Sequence, residues 1–171
     1  MQNIQLIACQ PNEEDGRKVY AWRTDPATQA MFFTHMALDW EGFWPVWRDG
    51  YFSDTDLVPA FAVNEQGEPL GVVSFSRMEP IEGLGVCVDI SINVAPEARG
   101  KGVGVQALRR VADYLQGRGV DTVIAVVKLD NPASAKSFEN AGFVYHDETV
   151  HHVKPTGADV AVKRYVLKLN A

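Results

Sequence analysis

Hydrophobic and polar positions change period several times along the chain, and each change marks an element. Residues 86–94, VCVDISINV, alternate strictly. Val86, Val88, Ile90, Ile92 and Val94 fall on one side and Cys87, Asp89, Ser91 and Asn93 on the other, a strand with one apolar and one mixed face. Residues 121–127, DTVIAVV, are almost continuously apolar, which fits a strand buried on both faces. Between them, Leu108, Val111, Ala112 and Leu115 form an apolar stripe that predicts a helix over 102–117. A strand–helix–strand unit of this kind makes its two strands parallel, with a right-handed crossover.

The remaining segments read around that unit. A strand is expected at 3–9, then a helix at 13–24 capped by Asn12, with Asp15 at the third helical position as a weak capping box. Asp25-Pro26 ends it, and a short helix follows at 26–33. Phe43, Trp44, Trp47 and Tyr51 recur at helical spacing in 40–52 despite Pro45. Apolar runs at 57–63 and 70–76, joined by NEQGEP, predict a hairpin. A helix starting after Asn131 and ending near Gly142, and strands at 143–152 and 160–169, complete an α/β chain. The expected architecture is a mixed, mostly antiparallel sheet of about seven strands, with flanking helices, in one domain spanning 1–171.

Composition narrows the function without choosing it. A chain of 171 residues with 46% apolar and 22% charged residues can bury a core without disulfides or metal. A net charge of -6 argues against nonspecific nucleic-acid binding, although local basic clusters can hold small anions. Cys9 and Cys87 sit in apolar runs with no CxxC spacing, which reads as buried thiols in a reducing compartment. His151 and His152 point to opposite sides of a strand, so no metal site is expected. The opening MQNIQLIACQ lacks a basic start and a long apolar centre, and no apolar run approaches the roughly 20 residues that span a bilayer, so a cytoplasmic location is expected.

Chemistry concentrates at residues 99–104, RGKGVG, directly after one apolar strand and before a helix. A P-loop needs glycine five positions before the Gly-Lys pair and Ser or Thr after it; Ala95 and Gly102 stand there. A dinucleotide reading of Gly102, Gly104 and Ala107 lacks the first-strand position and the second crossover of that fold. The reading left is a helix N-terminus whose unpaired N–H groups bind a diphosphate, with glycines admitting oxygen close to the backbone and Arg99 and Lys101 adding charge.

These residues resemble the acetyl-CoA loop, (R/Q)xxGx(G/A), of the GNAT N-acetyltransferase superfamily. The resemblance extends over about 57–145 and includes Val94-Ala-Pro, residues 131–135 (NPASA) and residues 138–143 (FENAGF). It implies that the two central parallel strands splay and that acetyl-CoA, the cosubstrate, lies between them. Ile92 and Val94 would pair with its pantetheine arm, and Gly100, Lys101, Gly102, Val103 and Gly104 would surround the pyrophosphate together with Arg99. Asn131, Ser134 and Phe138 would complete the donor site, although Asn131 before proline also reads as an ordinary helix cap. The N–H of Val94 would face the thioester oxygen. Asp89 stands roughly where some relatives carry a catalytic glutamate, and it reads equally as a hydrogen-bonded structural carboxylate; Glu79 is a weaker candidate. Many relatives have tyrosine where this chain has Phe138, which leaves the acid for the departing thiolate unassigned, with Tyr145 or water as substitutes, and keeps a non-catalytic acetyl-CoA-binding module in play.

The acceptor wall is read from Trp22-Arg-Thr-Asp-Pro, from His35 and from the tryptophan-rich segment at 40–47. This region looks like the acetyltransferases that modify a UDP-linked 4-amino sugar in pseudaminic-acid biosynthesis. Trp22, Arg23, Phe33 and His35 are the candidate acceptor contacts, with Phe32 and Trp40 as further aromatic faces. The Trp-x-x-Asp-Pro pattern also occurs in ribosomal-protein N-terminal acetyltransferases. Peptide N-termini and other small amines therefore stay open as acceptors, as does homodimerisation.

Overall fold

The computed structural model describes residues 3–29, 38–153 and 157–169. Phe32, Phe33 and His35 lie outside them. Seven strands, β1 (Gln5–Ala8), β2 (Ala60–Val63), β3 (Pro69–Arg77), β4 (Cys87–Val94), β5 (Thr122–Lys128), β6 (Val144–Val153) and β7 (Ala158–Lys168), form one sheet in the order β1-β2-β3-β4-β5-β7-β6. Every neighbouring pair is antiparallel except β4 and β5. That parallel pair is the one the crossover requires.

The N-terminal helices are α1 (Glu13–Arg23), α2 (Pro26–Gln29) and α3 (Trp40–Pro45). Asn12 caps α1 by accepting from the Asp15 N–H at 2.9 Å. The Asp15 carboxylate reaches back past the cap to the Gln10 N–H at 2.8 Å, so the reciprocal half of a capping box is displaced by two residues. After Pro45 the helix widens into a π-turn at Val46–Gly50, with Tyr51 N–H bonded to Val46 O at 3.0 Å. Proline has no N–H to continue the ladder, and the single helix expected over 40–52 becomes two unlike pieces.

The crossover is likewise divided, into α4 (Val103–Leu108) and α5 (Val111–Leu115). Arg110 sits at the tightened turn between them, its N–H bonded to Ala107 O. Its guanidinium bonds Ile4 O at 3.0 Å and Asn3 Oδ1 at 2.9 Å, tying the crossover to the start of the chain. The last helix is α6 (Pro132–Asn140).

Sheet alternation sorts the side chains. Val88, Ile90, Ile92 and Val94 share a face with Phe75 and Val73 of β3, and Phe75 stacks on Tyr114 of α5. Cys87, Asp89, Ser91 and Asn93 share the other face with Ser76, Ser74 and Val72. Val19, Phe43 and Trp47 of the helical layer and Val73, Val88 and Val123 of the sheet are fully buried and belong to one core.

Candidate active site

The site begins with a broken ladder. β4 pairs with β5 only at Cys87↔Thr122, Val88↔Val123 and Asp89↔Ile124. Beyond Asp89 both strands continue, each fully paired on its outer side: β4 with β3 out to Val94↔Gly71, and β5 with β7 out to Lys128↔Val162. The sheet therefore forks between its two central strands, and Asp89 stands at the fork. Ala95 N–H bonds Leu70 O on the β3 side. By strand alternation, the N–H and C=O of Ile92 and Val94 then point into the fork, where no strand answers them.

A cleft of about 420 Å³ occupies this gap, with Ser91, Asn93, Val94, Gly100 and Gly104 on the β4 side and Ser134 and Phe138 of α6 among the residues facing them. The corner beyond β4 follows from its glycines. Gly100 and Gly102 have φ of +76° and +80°, a left-handed backbone that favours glycine. Gly104 has no such need: it lies inside α4, and a Cβ there would meet only Val94 Cγ2, at 3.6 Å. Two of the three glycines thus shape the turn, and the third leaves bare backbone on the cleft. Lys101 is exposed, and the Val103 side chain is buried in the core, leaving its backbone to the first turn of α4.

Arg99 is not held in reserve for an anion alone. Its guanidinium pairs with Asp25 at 3.2 Å and bonds the Thr28 hydroxyl, which fastens the corner to α2. The Thr28 N–H, ahead of Arg99 itself, holds the Asp25 carboxyl below its usual range. Asn131 caps α6, its Oδ1 accepting from the Ser134 N–H at 3.2 Å, and both residues line the cleft. Phe138 is 5% exposed and packs edge-on against Phe143.

A second hollow, about 580 Å³, lies on the Asp89 face of the sheet. Arg23, Tyr51, Ser74, Ser76, Arg77 and Ser91 are on its wall, and the π-turn contributes Val46 and Gly50. Asp54 closes one side through a 2.6 Å ion pair with Arg77. Burial raises the Tyr51 phenol further above its ordinary range, so it stays a neutral hydroxyl. Ser91 is on the wall of both hollows, and Asp89 is on the wall of neither. Asp89 lies two residues along the same face, directly across from Ser76. Burial raises its carboxyl to about 6, opposed by a backbone hydrogen bond from Ile90.

The aromatic acceptor wall read from the sequence changes at this point. Trp22 is 8% exposed and packs edge-on against Phe61, so its ring serves the core, not a ligand. Trp40 packs among Tyr20, Phe43 and Trp44 under the Arg17 guanidinium. Arg23 does reach the second hollow. Glu79 is exposed beyond the end of β3, and Tyr145 is half exposed on β6 against Tyr165, away from the cleft lining. Sequence reading took Tyr51 only as part of an apolar helical pattern, passed over Ser74 and Ser76, and gave no role to Ser91 or Asn93, although the polar face of residues 87–93 carried the signal of the last two.

Comparison with known proteins agrees with this geometry. The family described as "Acetyltransferase (GNAT) domain" matches residues 5–144. The chain belongs to the GNAT acetyltransferase family. It is 33% identical over 82 residues to an L-methionine sulfoximine/L-methionine sulfone acetyltransferase of Pseudomonas aeruginosa, covering 48% of either chain. The match thus spans about half the length of that GNAT relative. The chain is 27% identical to the L-amino acid N-acyltransferase MnaT of Escherichia coli over 133 residues, 73% of this chain and 77% of the other. In fold, the spermidine N-acetyltransferase of Vibrio cholerae, solved with CoA and spermine, superposes with a TM-score of 0.79 at 18% identity, over 98% of this chain and 96% of that one.

The cleft fits an acyl-CoA by its own chemistry. It offers an unanswered strand edge, bare backbone at Gly104 and a buried side-chain amide lacking a partner among the described residues (Asn93 Nδ2). Among those residues no cluster of three or more His, Cys, Asp or Glu gathers, and no helix is long and apolar enough to cross a membrane.

Proposed function

We propose that this chain moves an acetyl group from acetyl-CoA to the primary amine of a small polar acceptor, by direct attack in a ternary complex. One observation carries the reading: an open strand edge and a separate polar hollow share Ser91 on their walls, two residues along β4 from a carboxyl raised by burial. Acetyl-CoA supplies an activated acyl group; the chain's residues do the rest. Ile92 and Val94 present backbone groups to the pantetheine arm, and the Val94 N–H opposes the charge that grows on the thioester oxygen. The corner from Gly100 to Gly104 receives the diphosphate.

Asp89 takes the proton that an ammonium must lose before it attacks. With its carboxyl near 6 it is mostly ionised at neutral pH yet basic enough to accept. Phe138 has no proton to give, so the thiolate, with an ordinary pKa of about 8.5, takes one from water.

The acceptor is read from the second hollow. Arg23, the Tyr51 hydroxyl and the serines at its wall, Ser74, Ser76 and Ser91 among them, suit a compact amine that also carries a carboxylate or several hydroxyls. That agrees in kind with the amino-acid acceptors in the names of the curated relatives. A nucleotide-linked amino sugar keeps Arg23 as its support but loses the Trp22 face to the core, and we rank it second.

Thiol release from acetyl-CoA across amino acids, polyamines, UDP-amino sugars and peptides tests the proposal. Turnover is expected with small polar amines. Thiol release with UDP-amino sugars alone reverses the ranking, and tight CoA binding with no turnover on any amine marks a non-catalytic binding module.

A further inference from the structure

Asn93 is a buried polar side chain of the cleft whose position the contacts of the described residues leave unexplained. It is 6% exposed, on a central strand, with β3 fully paired on one side and the cleft on the other. Its Nδ2 has no hydrogen-bond partner among the described residues. A buried donor without an acceptor loses its hydration and regains nothing, so protein alone does not favour asparagine at this position. Leucine has nearly the same shape and would fill the space without that penalty. Three other polar side chains of the cleft have partners in the protein: Asn131 caps α6, Ser137 bonds Ala133 O, and Thr28 bonds Asp25 and Arg99; Ser91 and Ser134 are only partly buried.

Location narrows what the amide can meet. Asn93 lies between Ile92 and Val94, whose backbone groups face the fork, and between Asp89 at the closed end and the glycine corner at the open end. A molecule stretched along this edge from corner to fork passes it with the middle of its length.

We propose that Asn93 is a binding residue for the acyl donor, its Nδ2 donating to a carbonyl oxygen of the acyl-pantetheine arm. The inference rests on the donor reading of the cleft and deepens it. The bonded carbonyl belongs either to an amide of the arm or to the thioester, and both present the same acceptor chemistry. Asn93 thereby trades stability of the empty protein for affinity.

Calorimetric titration of Asn93→Leu and Asn93→Asp with acetyl-CoA and with free CoA, beside thermal unfolding without ligand, tests this. Asn93→Leu is expected to unfold at the wild-type temperature or above it, and to bind acetyl-CoA about tenfold or more weakly, the worth of one lost hydrogen bond. Asn93→Asp, which sets an acceptor where a donor stood, is expected to weaken binding at least as much. Equal losses for acetyl-CoA and CoA assign the bond to an amide of the arm; a loss for acetyl-CoA alone assigns it to the thioester. Unchanged affinity for both in Asn93→Leu overturns the proposal, and so does an Asn93→Leu protein that unfolds well below wild type, which would make the amide structural. Wild-type protein that binds neither compound defeats the transferase reading itself and this inference with it, so the two failures are told apart.

Discussion

The same two strands behave in opposite ways at their two ends. Over Cys87–Thr122, Val88–Val123 and Asp89–Ile124, β4 and β5 answer each other's backbone groups, and beneath them Leu84, Cys87, Ile124 and Val166 close a small apolar cluster. Past Asp89 the ladder stops while both outer ladders go on. The open half keeps unanswered backbone at Ile92 and Val94 and a lone amide at Asn93. Unpaired backbone away from water is costly, so an edge in the middle of a sheet marks a place where another strand-like molecule belongs. The closed half holds the fold together; the open half is where the proposed donor lies.

Substitutions should separate the halves. The largest effect is expected at the fork. Asp89→Asn preserves shape and removes the base, so turnover should fall by about 10²–10⁴ with donor affinity nearly unchanged, and the wild-type decline in rate below about pH 6 should disappear. Steady-state rates between pH 5 and 9 check both, and wild-type turnover in the variant would remove Asp89 from the mechanism. In the closed half, Ile124→Ala should cost about 2–5 kcal/mol by denaturant unfolding, since Ile124 is fully buried. Ile92→Ala, on the partly covered open half, should cost less.

Gly104→Ala tests the bare backbone. Its methyl meets Val94 at an ordinary distance and improves helix propensity, so stability should hold or rise by about 0.5–1 kcal/mol. Acetyl-CoA affinity should fall about tenfold; unchanged affinity would move the donor away from α4.

The smallest effect is a linkage. The folded Asp89 carboxyl lies above the ordinary aspartate value of about 3.9, so the folded chain binds the proton more tightly than the unfolded one. The contribution of Asp89 to stability should therefore decline as pH rises from about 4 to 6, which the difference between wild type and Asp89→Asn isolates. Asp89→Asn should be more stable than wild type at pH 8, by on the order of 1 kcal/mol, and equal to it at pH 4.

What the sequence made legible was periodic or local. Strict alternation at residues 86–94 marked β4 and its two faces, the apolar run at 121–127 marked β5, and the crossover between them fixed their parallel pairing. The glycine corner was legible because backbone needs at Gly100 and Gly102 leave a residue-type signature. Contacts between distant segments were not. Nothing local in Trp22 says that its ring meets Phe61, or that Arg99 bonds Thr28 from 71 positions away. The aromatic acceptor wall failed for that reason: an aromatic at helical spacing is core or contact depending on what packs over it. Asn93 shows the same limit, since an asparagine on the mixed face of a strand becomes informative only when its partners can be counted.

Residue-resolved amide hydrogen exchange, with and without acetyl-CoA, addresses the fork most directly. The account predicts that Val88 is protected in both states, while Ile92 and Val94 exchange readily in the free protein and become protected, about tenfold or more, when acetyl-CoA is bound. Acetyl-CoA binding that leaves the exchange of Ile92 and Val94 unchanged would contradict it.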